Sequence, residues 1–183
     1  MCNNGVSNPS GANMTKAAGL MLALAALTLA GCGGRETLPE QPAFYVNMAS
    51  PAAKLDAAMA ASMISGYRRN NGLGAVEVDP LLMKAAETQS QAMAARNKLD
   101  HNVAGALDKR IRASGFDAAR AVENVSAGYH TLAEAFSGWR DSPPHKANML
   151  ASGMTKMGIA AVYAPNTKYK VFWTLILAAP DAR

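Results

Sequence analysis

The sequence predicts an α+β domain: a three-layer α/β/α sandwich with a small, mainly antiparallel sheet between helices. Two observations carry this. Apolar residues recur first at helical spacing and then, toward the C-terminal end, at strand spacing. The last strand, Tyr169 to Ala178, is apolar on both faces, with Val171, Trp173, Leu175 and Leu177 on one and Phe172, Ile176 and Ala178 on the other. Such a strand needs cover on both sides. A third observation agrees: the chain is 50% hydrophobic but only 6% aromatic. Much of its apolar content is alanine, which lets helices approach closely.

Residues 1–13 are polar. Met14-Thr15-Lys16 then supplies a short positive segment, and translation starting at Met14 would suit it. The apolar run 17–30 is shorter than the roughly 20 residues that span a bilayer and fits a signal-peptide core. Leu29-Ala30-Gly31-Cys32 follows and resembles a bacterial lipobox, which implies cleavage before Cys32 and its lipidation. Residues 1–31 are therefore expected to be a lipoprotein signal peptide. Residues 32–53, with Gly33-Gly34, Pro39, Pro42 and Pro51, are expected to be a lipidated N-terminus and flexible linker. Its roughly 20 residues reach about 60–70 Å when extended. Cys2 and Cys32 are the two cysteines, so the folded part is expected to hold no disulfide.

The domain is expected over 54–183. A first helix should run from about Ala52 to Asn70, with Leu55, Met59, Met63 and Tyr67 on one stripe, stopped by Asn70-Asn71-Gly72. Asp79-Pro80 reads as an N-cap with proline at the first helical position. The helix after it should run to about Lys98 and turn Leu82, Ala86, Gln89 and Met93 inward. A shorter helix, Leu107 to Ser114, should end at Gly115. Ala121 to Ala127 reads as a strand. Thr131 and Glu134 form a capping box, after which Leu132, Phe136 and Trp139 face the core. Ser142-Pro143-Pro144 restarts a short helix ending near Leu150, with Ser142 read as its cap and not as a nucleophile. Strands Lys156 to Tyr163 and Tyr169 to Ala178 close the chain.

The net charge is +5, and the basic residues are scattered apart from Arg68-Arg69. A nucleic-acid binder would cluster its charge, so none is expected as a partner.

Three polar residues stand out. Glu123 lies 22 residues from both His101 and His145. Two histidines and a glutamate are the ligand types of an open zinc site and of acid/base chemistry. Trp139, Ser142, His145 and Asn148 are spaced W-x-x-S-x-x-H-x-x-N. Taken in order with Asn71-Gly72-Leu73, Asp79, Leu82, Ala86, Arg110, Gly115-Phe116, Glu123-Asn124, Gly158 and Trp173, these residues resemble the CAP superfamily of SCP-like extracellular proteins, in the bacterial single-domain form. The resemblance covers roughly residues 54–179. It implies the same sandwich and a cleft holding His101, Glu123 and His145, with Asn124, Ser142 and Asn148 as support. The family's second cleft acid falls near Ser142 here, which leaves any two-carboxylate mechanism without a partner.

The expected protein is a monomer, extracytoplasmic and lipid-anchored through Cys32 to a bacterial membrane. Its leading function is binding of a lipid, glycan or cell-envelope ligand, with weak Zn²⁺ binding at His101, Glu123 and His145. The alternatives are a metal-dependent, peptidase-like hydrolase using the same cleft, and an interaction protein whose cleft is vestigial.

Overall fold

The structure is a computed structural model and describes residues 41–181. The signal segment and Cys32 lie outside the described residues. The elements are α1 (Ala57–Asn70), β1 (Glu77–Val78), α2 (Pro80–Arg96), α3 (Leu107–Ser114), β2 (Ala118–Ala127), α4 (Leu132–Asp141), α5 (Pro143–Met149), β3 (Lys156–Ala164) and β4 (Lys170–Pro180). The sheet order is β1-β3-β4-β2. β1 runs parallel to β3, and the other pairs are antiparallel.

β4 is central, and its two apolar faces are covered as its sequence demands. Val171, Trp173, Leu175 and Leu177 pack with Ile64 of α1, Leu132 and Trp139 of α4, and Met149 of α5. Ile176 and Ala178 pack with Leu82, Ala85 and Ala86 of α2 and Ile111 of α3. Phe172 joins Met93 and Val125. Thr174 is the polar exception on the α2 face, and Ser90 satisfies it at 2.8 Å. Trp139 and Trp173 meet edge to face, with centroids 6.5 Å apart, and both are buried. Each apolar face buried this way contributes roughly 25 cal/mol per Å².

The caps form where the sequence places them. Asp79 accepts from the amides of Leu81 and Leu82, and both bonds of the Thr131–Glu134 box are present. α2 lies so close to β3 that a Cβ on Gly158 would sit 2.1 Å from the main-chain carbon of Leu82. Only glycine fits there.

Three expectations change. α1 starts at Ala57, not Ala52, because the Asp56 carboxylate caps it by accepting from Met59 N at 2.8 Å. Its buried line is Ala60, Ile64 and Arg68, while Met59, Met63 and Tyr67 are only half-buried beside it. The expected linker ends early: residues 43–45 form a 3-10 turn, Phe44, Val46 and Met48 pack on the α1/α4 core, and Met48 N bonds the His130 carbonyl at 2.6 Å. Among the described residues no helix is long and apolar enough to cross a membrane.

Candidate functional site

β2 supplies Glu123 and Asn124, the loop between α2 and α3 supplies His101, and α5 supplies His145 and Asn148. The fold brings all of them together. Glu123 is almost fully buried, with a side chain 3% exposed, and each of its oxygens is engaged. Arg110 Nη2 donates to Oε2 at 2.6 Å. His101 Nδ1 meets Oε1 at 2.8 Å, and since an ionised carboxylate only accepts, the imidazole is the donor.

The His101 loop is held from two sides. Arg110 donates to the carbonyls of Gly105 (3.0 Å) and His101 (3.3 Å). The buried Gln89 amide donates to the Asp100 carbonyl at 2.7 Å and accepts from Ala104 N at 3.3 Å. Arg110 and Gln89 were not among the expected site residues. A signal existed for Gln89, the one amide on the otherwise apolar stripe Leu82, Ala86, Met93.

The second histidine is fixed by the asparagines. Asn124 Nδ2 donates to the His145 carbonyl, and Asn148 Nδ2 donates to the Glu123 carbonyl and to Asn124 Oδ1, all at 2.9 Å. Ser142 corrects the capping expectation. It stands at the N-cap position of α5, but its side chain makes no capping bond. Its Oγ instead lies 2.9 Å from His145 Nδ1.

Both imidazoles therefore spend Nδ1 inside the site, and neither Nε2 has a hydrogen-bond partner among the described residues. Their protonation preferences diverge. The hydrogen bond to Glu123 raises the His101 pKa above its usual value, against the opposing effect of burial. Burial lowers that of His145, and the His101 charge lowers it further. Groups pushed apart in this way divide acid and base roles. The cleft thus pairs a His101 that holds its proton more readily with a His145 that gives its proton up more readily.

The expected three-ligand zinc set does not match this arrangement. Both Glu123 oxygens are taken, and among the described residues no group of three or more His, Cys, Asp or Glu side chains could hold a metal ion. Two imidazole Nε2 atoms remain as donors.

The arrangement is that of a three-layer sandwich whose buried glutamate orients one of two histidines in a single cleft. The chain matches the CAP family, described as the Cysteine-rich secretory protein family, over residues 61–177, and it belongs to that family. The described residues nonetheless contain no cysteine. YkwD, an uncharacterized protein of Bacillus subtilis (strain 168), is 30% identical over 102 residues, covering 55% of this chain and 40% of that protein. An extracellular SCP-domain protein from Bacillus anthracis str. Ames superposes with a TM-score of 0.59 at 22% identity, covering 67% of this chain and 39% of that one. An outer surface protein from Borrelia burgdorferi gives 0.63 at 19% identity, covering 70% of this chain and 95% of that one. At these identities the structural likeness speaks for the fold. The chain spans only about two-fifths of the Bacillus relatives it matches.

Proposed function

We propose that the protein is a membrane-tethered, extracytoplasmic binding module, held through a lipidated Cys32, whose cleft takes a polar group of a lipid, glycan or cell-envelope fragment between His101 and His145. One observation carries this: the Glu123 carboxylate is used internally, so the groups left facing outward are two imidazole edges of differing proton affinity. Such a pair recognises a ligand that offers both an acceptor and a donor. The extracellular and surface relatives named above support the location. The test is mass spectrometry of small molecules extracted from the purified protein, compared with a His101→Ala/His145→Ala variant. A ligand present in the wild type and lost in the variant is the expected result; identical extracts would leave the cleft as an interaction or structural surface.

A second reading, hydrolysis with a divalent ion on the two Nε2 atoms, draws on the Glu123–His101 bond. Carboxylates commonly stand behind metal-bound histidines in this way. Calorimetric titration with Zn²⁺ at pH 7.5 separates the readings: heat that vanishes in the double variant favours this one. For the anchor, metabolic palmitate labelling should disappear in Cys32→Ser, and unchanged labelling would remove the tether from the proposal.

A further inference from the structure

The two edges of the sheet differ. β2, at one edge, carries Arg120 and Glu123 and breaks register with β4 between Ala118 and Arg120. Charges, prolines and bulges are the devices that protect an edge from pairing with another chain. β3, toward the other edge, has none of them from Met157 to Ala164, and its register with β4 is unbroken. β1 covers β3 only at Lys156 and Met157, because the chain turns at Asp79-Pro80 into α2. Beyond Met157 no strand lies outside β3 among the described residues.

Main-chain groups alternate in direction along a strand paired on one side. The Met157 carbonyl accepts from Asp79 N at 2.8 Å, so the odd-numbered residues from 157 on turn outward. Val171, opposite Tyr163, agrees by giving its carbonyl to Gly128 N on the β2 side. Ala161 and Tyr163 thus each present an N–H and a C=O to the open side, with no partner there among the described residues. Ile159 N is met by Met83 Sδ at 3.2 Å. Met83 rises from α2 yet packs with the α1-side core, so it crosses the sheet edge. Its thioether, a weak acceptor, stands where a neighbouring strand would place a carbonyl oxygen. A concavity of about 190 Å³ follows this edge, lined by Leu55 ahead of α1, Met83 and Glu87 of α2, and residues 159–162. Glu87 is its one charged side chain and makes no ion pair among the described residues.

We propose that the outer edge of β3 binds an extended peptide segment of another protein, which adds a strand to the sheet. The row of free amides and carbonyls at a spacing of two residues asks for a strand, and main-chain pairing supplies the affinity. Successive side chains of that strand point to opposite faces. Apolar residues on one face suit Leu55 and Met83, and cationic residues on the other suit Glu87. The edge is recessed between Leu55 and the α2 side chains, which admits a lone strand and holds apart the equally recessed edges of two copies. The site lies across the sheet from the histidine cleft and stands whether or not the cleft binds a ligand.

The experiment is a nuclear magnetic resonance titration of the purified protein with a capped hexapeptide of alternating valine and lysine, against one of alternating valine and glutamate. Saturable shifts and slowed hydrogen exchange are expected at the Ala161 and Tyr163 amides with the lysine peptide. Exchange at Ala160 and Val162, which face β4, should not change. Ala161→Pro removes one outward N–H at an edge position that tolerates proline, and should weaken binding by about tenfold or more. Glu87→Lys, on an exposed side chain, should reverse the preference between the two peptides without unfolding. His101→Ala/His145→Ala should leave binding as it is. No protection at Ala161 and Tyr163, or equal binding of both peptides by the wild type and Glu87→Lys, overturns the proposal. Protection that grows with protein concentration in the absence of peptide overturns it as well and gives the edge to a second copy.

Discussion

Arg68 and Arg110 are both withdrawn from solvent, at 1% and 5% exposure, yet the chain holds them in opposite ways. Arg68, near the end of α1, donates only to main-chain carbonyls: Gly74 (2.9 Å), Met149 (2.8 Å), Ala151 (2.9 Å) and Met154 (3.1 Å). Burial pushes its pKa down, with no carboxylate to oppose it. Arg110 divides its bonds between two carbonyls and Glu123. The first arrangement fixes the path of the chain between α5 and β3. The second does that for the His101 loop and also passes charge, through Glu123, to a surface imidazole. Carbonyl dipoles can hold a fold, but a titratable relay needs the carboxylate.

The largest test falls on Arg68. Arg68→Met keeps most of the stem and strands four carbonyls, each costing about 1–3 kcal/mol when unsatisfied. A loss above about 4 kcal/mol is expected in denaturant unfolding. An unchanged midpoint would show that the carbonyls find other donors. Next, Glu123→Gln should cost about 3–5 kcal/mol by leaving a buried guanidinium without its counter-charge. Arg110→Met/Glu123→Leu should recover much of that stability while His101 returns toward its ordinary pKa. If the pair proves as costly to replace as to break, the relay is also architecture. Trp139→Ala, on the Arg68 side of the sheet, should cost about 3–5 kcal/mol, and a melting temperature within a degree or two of wild type would contradict its burial.

Smaller effects concern the histidines. In a pH titration followed by resonance shifts, His101 should titrate above its reference value of about 6.5 and His145 below it. The signs differ for stability. The raised His101 pKa adds stability that is full below about 6.5 and fades as pH rises through its folded value. The lowered His145 pKa removes stability as pH falls below about 6.5. Solvent around the half-exposed His101 ring keeps its contribution small. Equal titrations for the two rings would erase the division of roles. The least effect is expected from Ser142→Ala, within about 1 kcal/mol, since a single exchangeable hydrogen bond is lost.

The fold was legible because its signals are periodic or capped. β4 declares two buried faces by alternation, and Asp79-Pro80 and Thr131-x-x-Glu134 mark helix starts by chemistry. Glu123, His101, His145, Asn124 and Asn148 do converge. The misreadings share a cause: each depends on where a polar side chain finds a distant partner. Arg68 carries no sequence signal of its role, because its acceptors arrive from residues 74 and 149–154. Ser142 reads as a cap because proline follows, and only its 2.9 Å contact with the ring shows where its hydroxyl is used. Glu123 reads as a free ligand until Arg110 comes into view.

The centre of the sheet carries one more consequence. β4 pairs with both β2 and β3, and it is also the last of the described elements along the chain. A polypeptide emerging N-terminus first, from a ribosome or across a membrane, presents its helices and three strands, β1 able to pair with β3 but neither joined to β2, before the piece that unites them. Until residues 170–180 arrive, each apolar layer lacks the strand at the centre of its floor. The full sheet then closes only when the last described strand is in place, so the β2 edge joins the rest late in threading.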